Sequence, residues 1–223
     1  MSIYSITPFT LLDFPNKSAC IFWYAGCNMR CLYCYNPEIV LGKGVVTFPE
    51  AISFLQSRQG LLDAVVFSGG ECLIHKHIVE QIKAVKAMGF SVKIDTNGSR
   101  PDVLKQLINE QLIDYVALDF KAVKGQFQKI TQSDLFFGFE ESFQVLQKST
   151  VPFEIRTTYH SELISNEELS EMMAYLEANH YTGTYYLQFF RNNVETLAPL
   201  PASLKIKAEQ IKTNAAFNVV FRD

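Results

Sequence analysis

The chain has 223 residues, 48% apolar and 19% charged, enough for one globular domain with a sizeable core. A formal charge of −3, with acids and bases mixed along the chain, provides no basic stripe for nucleic acid or an anionic membrane. No apolar run is long enough to span a bilayer, and Met1-Ser2-Ile3-Tyr4 opens without a basic n-region or a long apolar stretch, so a cytoplasmic protein is expected.

Taken in order, the chain alternates strand and helix signals. Ala19–Tyr24 is a short apolar and aromatic run and reads as the first strand. Thr47-Phe48-Pro49-Glu50 has capping-box spacing and predicts a helix to about Ser57. Ala64–Ser68 is the second strand. His77–Met88 puts Ile78, Ile82, Val85 and Met88 on one helical face, with Gly89 as a stop. Ser91–Asp95 is the third strand, and Pro101–Asn109 a helix with Leu104, Leu107 and Ile108 inward. Tyr115–Asp119 is the fourth strand, Phe139–Lys148 a helix and Phe153–Thr158 the fifth strand. Ser165-Asn166-Glu167-Glu168 is a second capping box, leading a helix that buries Leu169, Met172, Met173 and Leu176. Tyr185–Phe190 is the sixth strand, Ala202–Lys212 a helix and Phe217–Phe221 a last strand.

Strands alternating with helices mean a mostly parallel sheet. Six or seven units are too few for a closed eight-fold barrel. The expected fold is therefore an α/β partial, open (β/α)6-type TIM barrel forming a single domain over 1–223, with a flat doubly wound sheet as the alternative. Both put chemistry at the C-terminal ends of the strands.

Directly after the first strand comes Gly26-Cys27-Asn28-Met29-Arg30-Cys31-Leu32-Tyr33-Cys34-Tyr35-Asn36-Pro37. Cys27, Cys31 and Cys34 have the spacing C-x3-C-x2-C; the other cysteines are Cys20 and Cys72. An odd count in a chain this size does not read as a disulfide scaffold. Three thiolates on one loop suit a cubane, and three ligands leave one iron of a [4Fe–4S] cluster open. A zinc site completed by Cys20, Cys72 or a histidine, a Cys31/Cys34 redox pair, and inert buried thiols are the other readings of the same residues.

The segment resembles the signature of the radical S-adenosylmethionine (SAM) superfamily. Together with Leu12-Asp13-Phe14-Pro15-Asn16-Lys17 and the later strand ends, it is most similar to activating enzymes of glycyl radical enzymes, and among them to the anaerobic ribonucleoside-triphosphate reductase activating proteins. The resemblance implies a radical SAM core and a [4Fe–4S] cluster on Cys27, Cys31 and Cys34. It implies that SAM on the open iron is cleaved reductively to a 5′-deoxyadenosyl radical, which abstracts a glycine Cα hydrogen from a partner protein. A separate electron donor, flavodoxin or ferredoxin, goes with that chemistry. Substrates of a different kind, as in a 7-carboxy-7-deazaguanine synthase-like enzyme, and a non-enzymatic zinc or iron–sulfur module are the alternatives.

The resemblance also assigns the strand ends. Tyr33 lies near the adenine, or merely packs the loop. Gly69, Gly70 and Glu71 receive the methionyl ammonium, where two glycines otherwise make an ordinary turn. The family has proline where this chain has Cys72, which opens a fourth-ligand possibility. Asp95, Thr96 and Asp119 are expected to line the SAM pocket and to hold a monovalent cation, with Lys121 near the ligand or substrate backbone. Asp95 as a turn cap and Lys121 as a solvated charge are the plainer readings. Arg156, inside a strand, needs an anion: the SAM carboxylate, or an acid such as Glu154. Gln188 bonds the ribose or adenine, or is a core amide. His160 follows a strand end and is a weak substrate-contact candidate.

Overall fold

The structure, a computed structural model, describes residues 1–206 and 217–223. Its elements are β1 (Ile3–Thr10), β2 (Ala19–Tyr24), α1 (Pro37–Leu41), α2 (Phe48–Gln56), β3 (Ala64–Gly69), α3 (Ile78–Ala87), β4 (Ser91–Thr96), α4 (Pro101–Asn109), β5 (Tyr115–Asp119), α5 (Lys124–Thr131), α6 (Phe136–Gln147), β6 (Phe153–Tyr159), α7 (Asn166–Ala178), β7 (Thr184–Phe189) and β8 (Asn218–Arg222).

Local chemistry explains the boundaries. Both predicted capping boxes form: Thr47 Oγ1 accepts from the Glu50 amide while Glu50 accepts from the Thr47 amide at 2.7 Å, and Ser165 and Glu168 repeat the exchange. Pro101 opens α4 at a position where its missing N–H costs nothing. Gly89, at φ 91°, ends α3 as expected.

All eight strands lie in one sheet in the order β1 to β8. Strand β1 is antiparallel to β2, and β2 through β8 run parallel. A doubly wound sheet reverses direction at a switch point. Here every crossover steps the same way, which rolls the sheet toward a barrel, while β1 and β8 remain its two edges. The open partial barrel is therefore the fold.

Three expectations need correction. The sheet begins before Ala19, because Ile3–Thr10 adds an antiparallel edge strand. Its pairing shifts register between Ile3 and Ser5 and again between Thr7 and Thr10, a stretch that holds Pro8, a residue tolerated at an edge and easily mistaken for a loop signal. The segment before β6 holds two helices rather than one: polar, glycine-containing α5 buries only Phe127, Ile130 and Thr131, and α6 begins at Phe136. The helix expected over Ala202–Lys212 has no regular structure at 202–206, and its remainder lies outside the described residues.

The strand period of two divides the molecule. Outward residues of the parallel strands, such as Phe22, Phe67, Ile94, Leu118, Ile155 and Leu187, join the main core under the helices. Inward residues near the strand starts, Ala19, Ile21, Ala64 and Val66, form a small second core capped by Phe14. Toward the strand ends the inward positions turn polar, with Ser68, Asp95, Asp119, Arg156 and Gln188. The apolar plug thus floors a polar cavity.

An aromatic cluster fixes α6 on the sheet. Phe139 is fully buried, with its ring centroid 4.8 Å from Phe120 and 6.2 Å from Phe143. Phe139→Ala should lower stability by about 3–5 kcal/mol, read as a reduced denaturant midpoint in equilibrium unfolding.

Candidate functional site

Cys27, Cys31 and Cys34 leave the end of β2 on a loop without secondary structure and line one cavity of about 300 Å³. Neighbouring main chain holds that loop on three sides. The Glu71 amide donates to Gly26 O at 3.0 Å, beside a Gly70 N–H bond to Tyr24 O at 2.9 Å. The Arg30 and Leu32 amides donate to Thr131 O and Ile130 O at the end of α5. The Leu197 and Ala198 amides donate to Cys34 O and Leu32 O.

The two glycines permit this approach. Gly69 sits at φ 118°, and a Cβ there would overlap the Tyr24 main chain; a Cβ on Gly70 would overlap the Gly26 carbonyl oxygen. Both line the cavity. The Gly70 and Glu71 amides are already spent on carbonyls, so what the turn offers a ligand is carbonyl oxygen, which suits an ammonium donor.

Glu71 and Thr96 bond each other and are not among the residues that line the cavity. Glu71 is fully buried behind the wall, accepting from the Leu73 amide, Thr96 Oγ1 and the Asn97 amide at 3.1, 2.8 and 2.7 Å. Burial, against those three donors, pushes its pKa up to about 7. Thr96 is one residue out of phase with inward Asp95, so it points to Glu71 rather than into the cavity. Glu71 ties the β3 and β4 turns together.

The inward wall carries a chain of charges. Arg156 Nε meets Asp119 Oδ1 at 3.1 Å, and its NH1 lies 3.6 Å from Asp95. Lys121 donates to Asp119 at 3.0 Å, Lys93 to Asp95 at 2.6 Å and Ser68 to Asp95 at 2.9 Å. Strand register explains the ring, because Asp119 and Arg156 are direct cross-strand partners. Burial opposes both carboxylates' charge, yet Arg156 and Lys93 hold Asp95 below the usual range, as Lys121 and Arg156 do Asp119. Lys121 is likewise disfavoured by burial, but Asp119 keeps it charged. Within this paired network three cations, Lys93, Lys121 and Arg156, face two carboxylates, Asp95 and Asp119.

Asp95 and Asp119, expected with Thr96 to hold a monovalent cation, both line the cavity and are paired with Lys93, Lys121 and Arg156, while the Thr96 hydroxyl bonds Glu71. Arg156 pairs with these two acids rather than with Glu154, which bonds Tyr115. Lys121 is not a solvated charge; it is largely buried, 5.8 Å from the Tyr33 ring centroid.

Tyr33 and Gln188 line the cavity with the cysteines, and the buried Tyr33 hydroxyl has no hydrogen-bond partner among the described residues. An orphaned hydroxyl in a cavity wall is satisfied by a ligand or by water. Cys72 is fully buried, donating to Phe67 O and Asp95 O at 3.6 Å, and Cys20 is buried in the outer core. The lining of the cysteine cavity includes neither. His160 also lies outside the cavity, its ring bonded to Pro201 O at 3.0 Å.

Sequence reasoning missed Ser68, Lys93 and Asn97. Ser68 lines the wall, Lys93 supports Asp95 from the same strand face, and their phase relative to the strand ends is a readable signal. Asn97, beyond the strand, gave none except its Asn-Gly turn.

The donor set fits a cubane better than a single ion. Among the described residues no group of three His, Cys, Asp or Glu side chains converges to hold one metal ion, as zinc requires. A cubane takes one thiolate per iron at separate corners. Burial pushes the Cys27 thiol up to about 12 and raises Cys31, the reverse of an activated redox pair; a bound iron would displace those protons.

A parallel partial barrel with three clustered cysteines at the strand ends defines an iron–sulfur enzyme core. The radical SAM superfamily model matches residues 21–178, and the chain belongs to that superfamily, whose members use a [4Fe–4S] cluster and SAM. A Methanocaldococcus jannaschii chain assigned as a glycyl-radical enzyme activating enzyme is 32% identical over 177 residues, covering 75% of this chain and 72% of its own. The pyruvate formate-lyase-activating enzyme of Clostridium pasteurianum is 27% identical, covering 79% and 76%. A Pyrococcus horikoshii chain assigned as GTP 3′,8-cyclase is 24% identical, covering 83% and 64%. Streptococcus suis SuiB bound to S-adenosylmethionine shares the fold at TM-score 0.63 and 14% identity over 91% of this chain. The chain spans about half the length of that structure, 49%.

Gly70→Ala should displace the cysteine loop. Reconstituted protein should then hold a small fraction of the wild-type iron while its far-ultraviolet circular dichroism stays native, because the overlap is confined to one turn.

Proposed function

We propose that this radical SAM enzyme activates a glycyl radical enzyme, of the anaerobic ribonucleoside-triphosphate reductase kind, abstracting a hydrogen atom from a glycine Cα of that partner. The observation that carries the reading is the similarity to activating enzymes over about three quarters of both chains. Cys27, Cys31 and Cys34 are the cluster ligands, and flavodoxin or ferredoxin supplies the electron.

When bound, the cluster and SAM supply the electron and the cleavable sulfonium from which the 5′-deoxyadenosyl radical and methionine arise. The protein's part is orientation and charge. Arg156, held between Asp95 and Asp119, presents its guanidinium to the methionyl carboxylate. The carbonyls of Gly69 and Gly70 accept from the ammonium, and Tyr33 and Gln188 flank the nucleoside. Lys121 keeps Asp119 ionised and adds to the charge facing the ligand. A second cavity of about 420 Å³ shares Tyr35, Asn36, Thr158 and Gln188 with the first and continues to Arg191 and Val194. That continuous groove suits a chain segment threaded from the surface.

The similarity to GTP 3′,8-cyclases favours a small-molecule substrate as the second reading. One experiment separates the two. Anaerobic reconstitution should give about four irons per chain, and dithionite with SAM should release 5′-deoxyadenosine; Cys27→Ala should lose both. Adding a glycyl radical enzyme from the same genome should then produce a glycyl doublet by electron paramagnetic resonance. No doublet with any such enzyme, together with stimulation of 5′-deoxyadenosine release by GTP alone, would support the second reading instead.

A further inference from the structure

Asn97 joins the cysteine loop to the body of the protein by every polar atom of its side chain. Its Oδ1 accepts from the Ser99 amide at 2.9 Å, so its NH2 must face the other way. There Nδ2 donates to Asn28 Oδ1 at 3.0 Å and to Cys27 Sγ at 3.8 Å. The Asn97 NH2 sets the Asn28 amide orientation in turn, and Asn28 Nδ2 then donates to Ser99 Oγ at 2.7 Å. The Asn97 main-chain N–H is anchored on Glu71. The amide can neither flip nor swing without breaking several of these bonds, and at 5% exposure water does not compete for it.

The three cysteines are not treated alike. Cys27 Sγ accepts from Asn97 and from the Met29 amide at 3.4 Å, while among the described residues neither Cys31 nor Cys34 accepts from another residue's side chain. Any sequence folded into this loop supplies the Met29 donor. The Asn97 donor belongs to this side chain. Hydrogen bonds to a thiolate withdraw electron density and favour the reduced, more negative state of the cluster it ligates.

We infer that Asn97 is a positioning residue for the cluster: its side-chain amide donates to the Cys27 thiolate and sets how readily the cluster accepts its electron. The inference rests on Cys27 being a cluster ligand. It gives the Asn-Gly turn after β4 a task apart from SAM binding, and it explains why buried Glu71 is spent on holding that turn.

Asn97→Ser tests it. Serine keeps an oxygen for the Ser99 amide but is too short to reach Cys27. In reconstituted protein with a wild-type iron count, the reduced-to-oxidised ratio at a fixed solution potential should fall about tenfold, a midpoint about 59 mV more negative in a titration followed by electron paramagnetic resonance. Electron–nuclear double resonance should show one exchangeable proton coupling lost. An unchanged midpoint and an unchanged proton spectrum at full iron content would overturn the inference. If Asn97→Ser fails to retain the cluster, wild-type protein labelled with 15N in its asparagine amides decides: a 15N coupling to the reduced cluster supports the inference, and none overturns it. Wild-type protein that takes up no cluster would overturn the functional reading itself, and this inference with it.

Discussion

The close approach of the β3 turn to the cysteine loop is the constraint on which the rest depends. A loop of that length has no ladder of its own, and its amides and carbonyls need partners. They find them in the Gly69-Gly70-Glu71 turn, the end of α5 and the segment after β7. The nearest of these contacts leaves no room for a side chain at residue 70. Three thiols are thereby fixed on one cavity wall by elements distant in sequence, which is how a rigid scaffold presents a reactive loop.

Strand phase supplies the second half of the site. Because side chains alternate, one face of the sheet can build an apolar core under the helices while the other carries ions. Asp95, Asp119 and Arg156 come from three successive strands at matching heights, and their lysine partners keep both carboxylates ionised despite burial. Desolvating such charges is costly unless each is paired. Fold and electrostatics are thus linked by one alternation, on which the proposed contact of Arg156 with a ligand carboxylate rests.

Much of this was legible in the sequence. The parallel strands, both capping boxes and the cysteine spacing announce themselves through period, cap chemistry and rarity. The inward aim of Asp95, Asp119 and Arg156 follows from strand phase once the strands are placed. The same phase argument, applied one residue further, would have turned Thr96 away from the cavity. At Glu71 too, a motif gives residue identity without burial. β1 escaped notice because its pattern is half exposed and contains Pro8. The second-sphere role of Asn97 depends on a contact 70 residues apart, which no local pattern encodes.

The central claim is that three protein thiolates hold a cubane and leave one iron for SAM. Mössbauer spectra of 57Fe-reconstituted protein, with and without SAM, test it directly. SAM should change the isomer shift of about one iron in four and leave the others as they were. Four irons that are indifferent to SAM, as in a cluster with every corner ligated by protein, would contradict it.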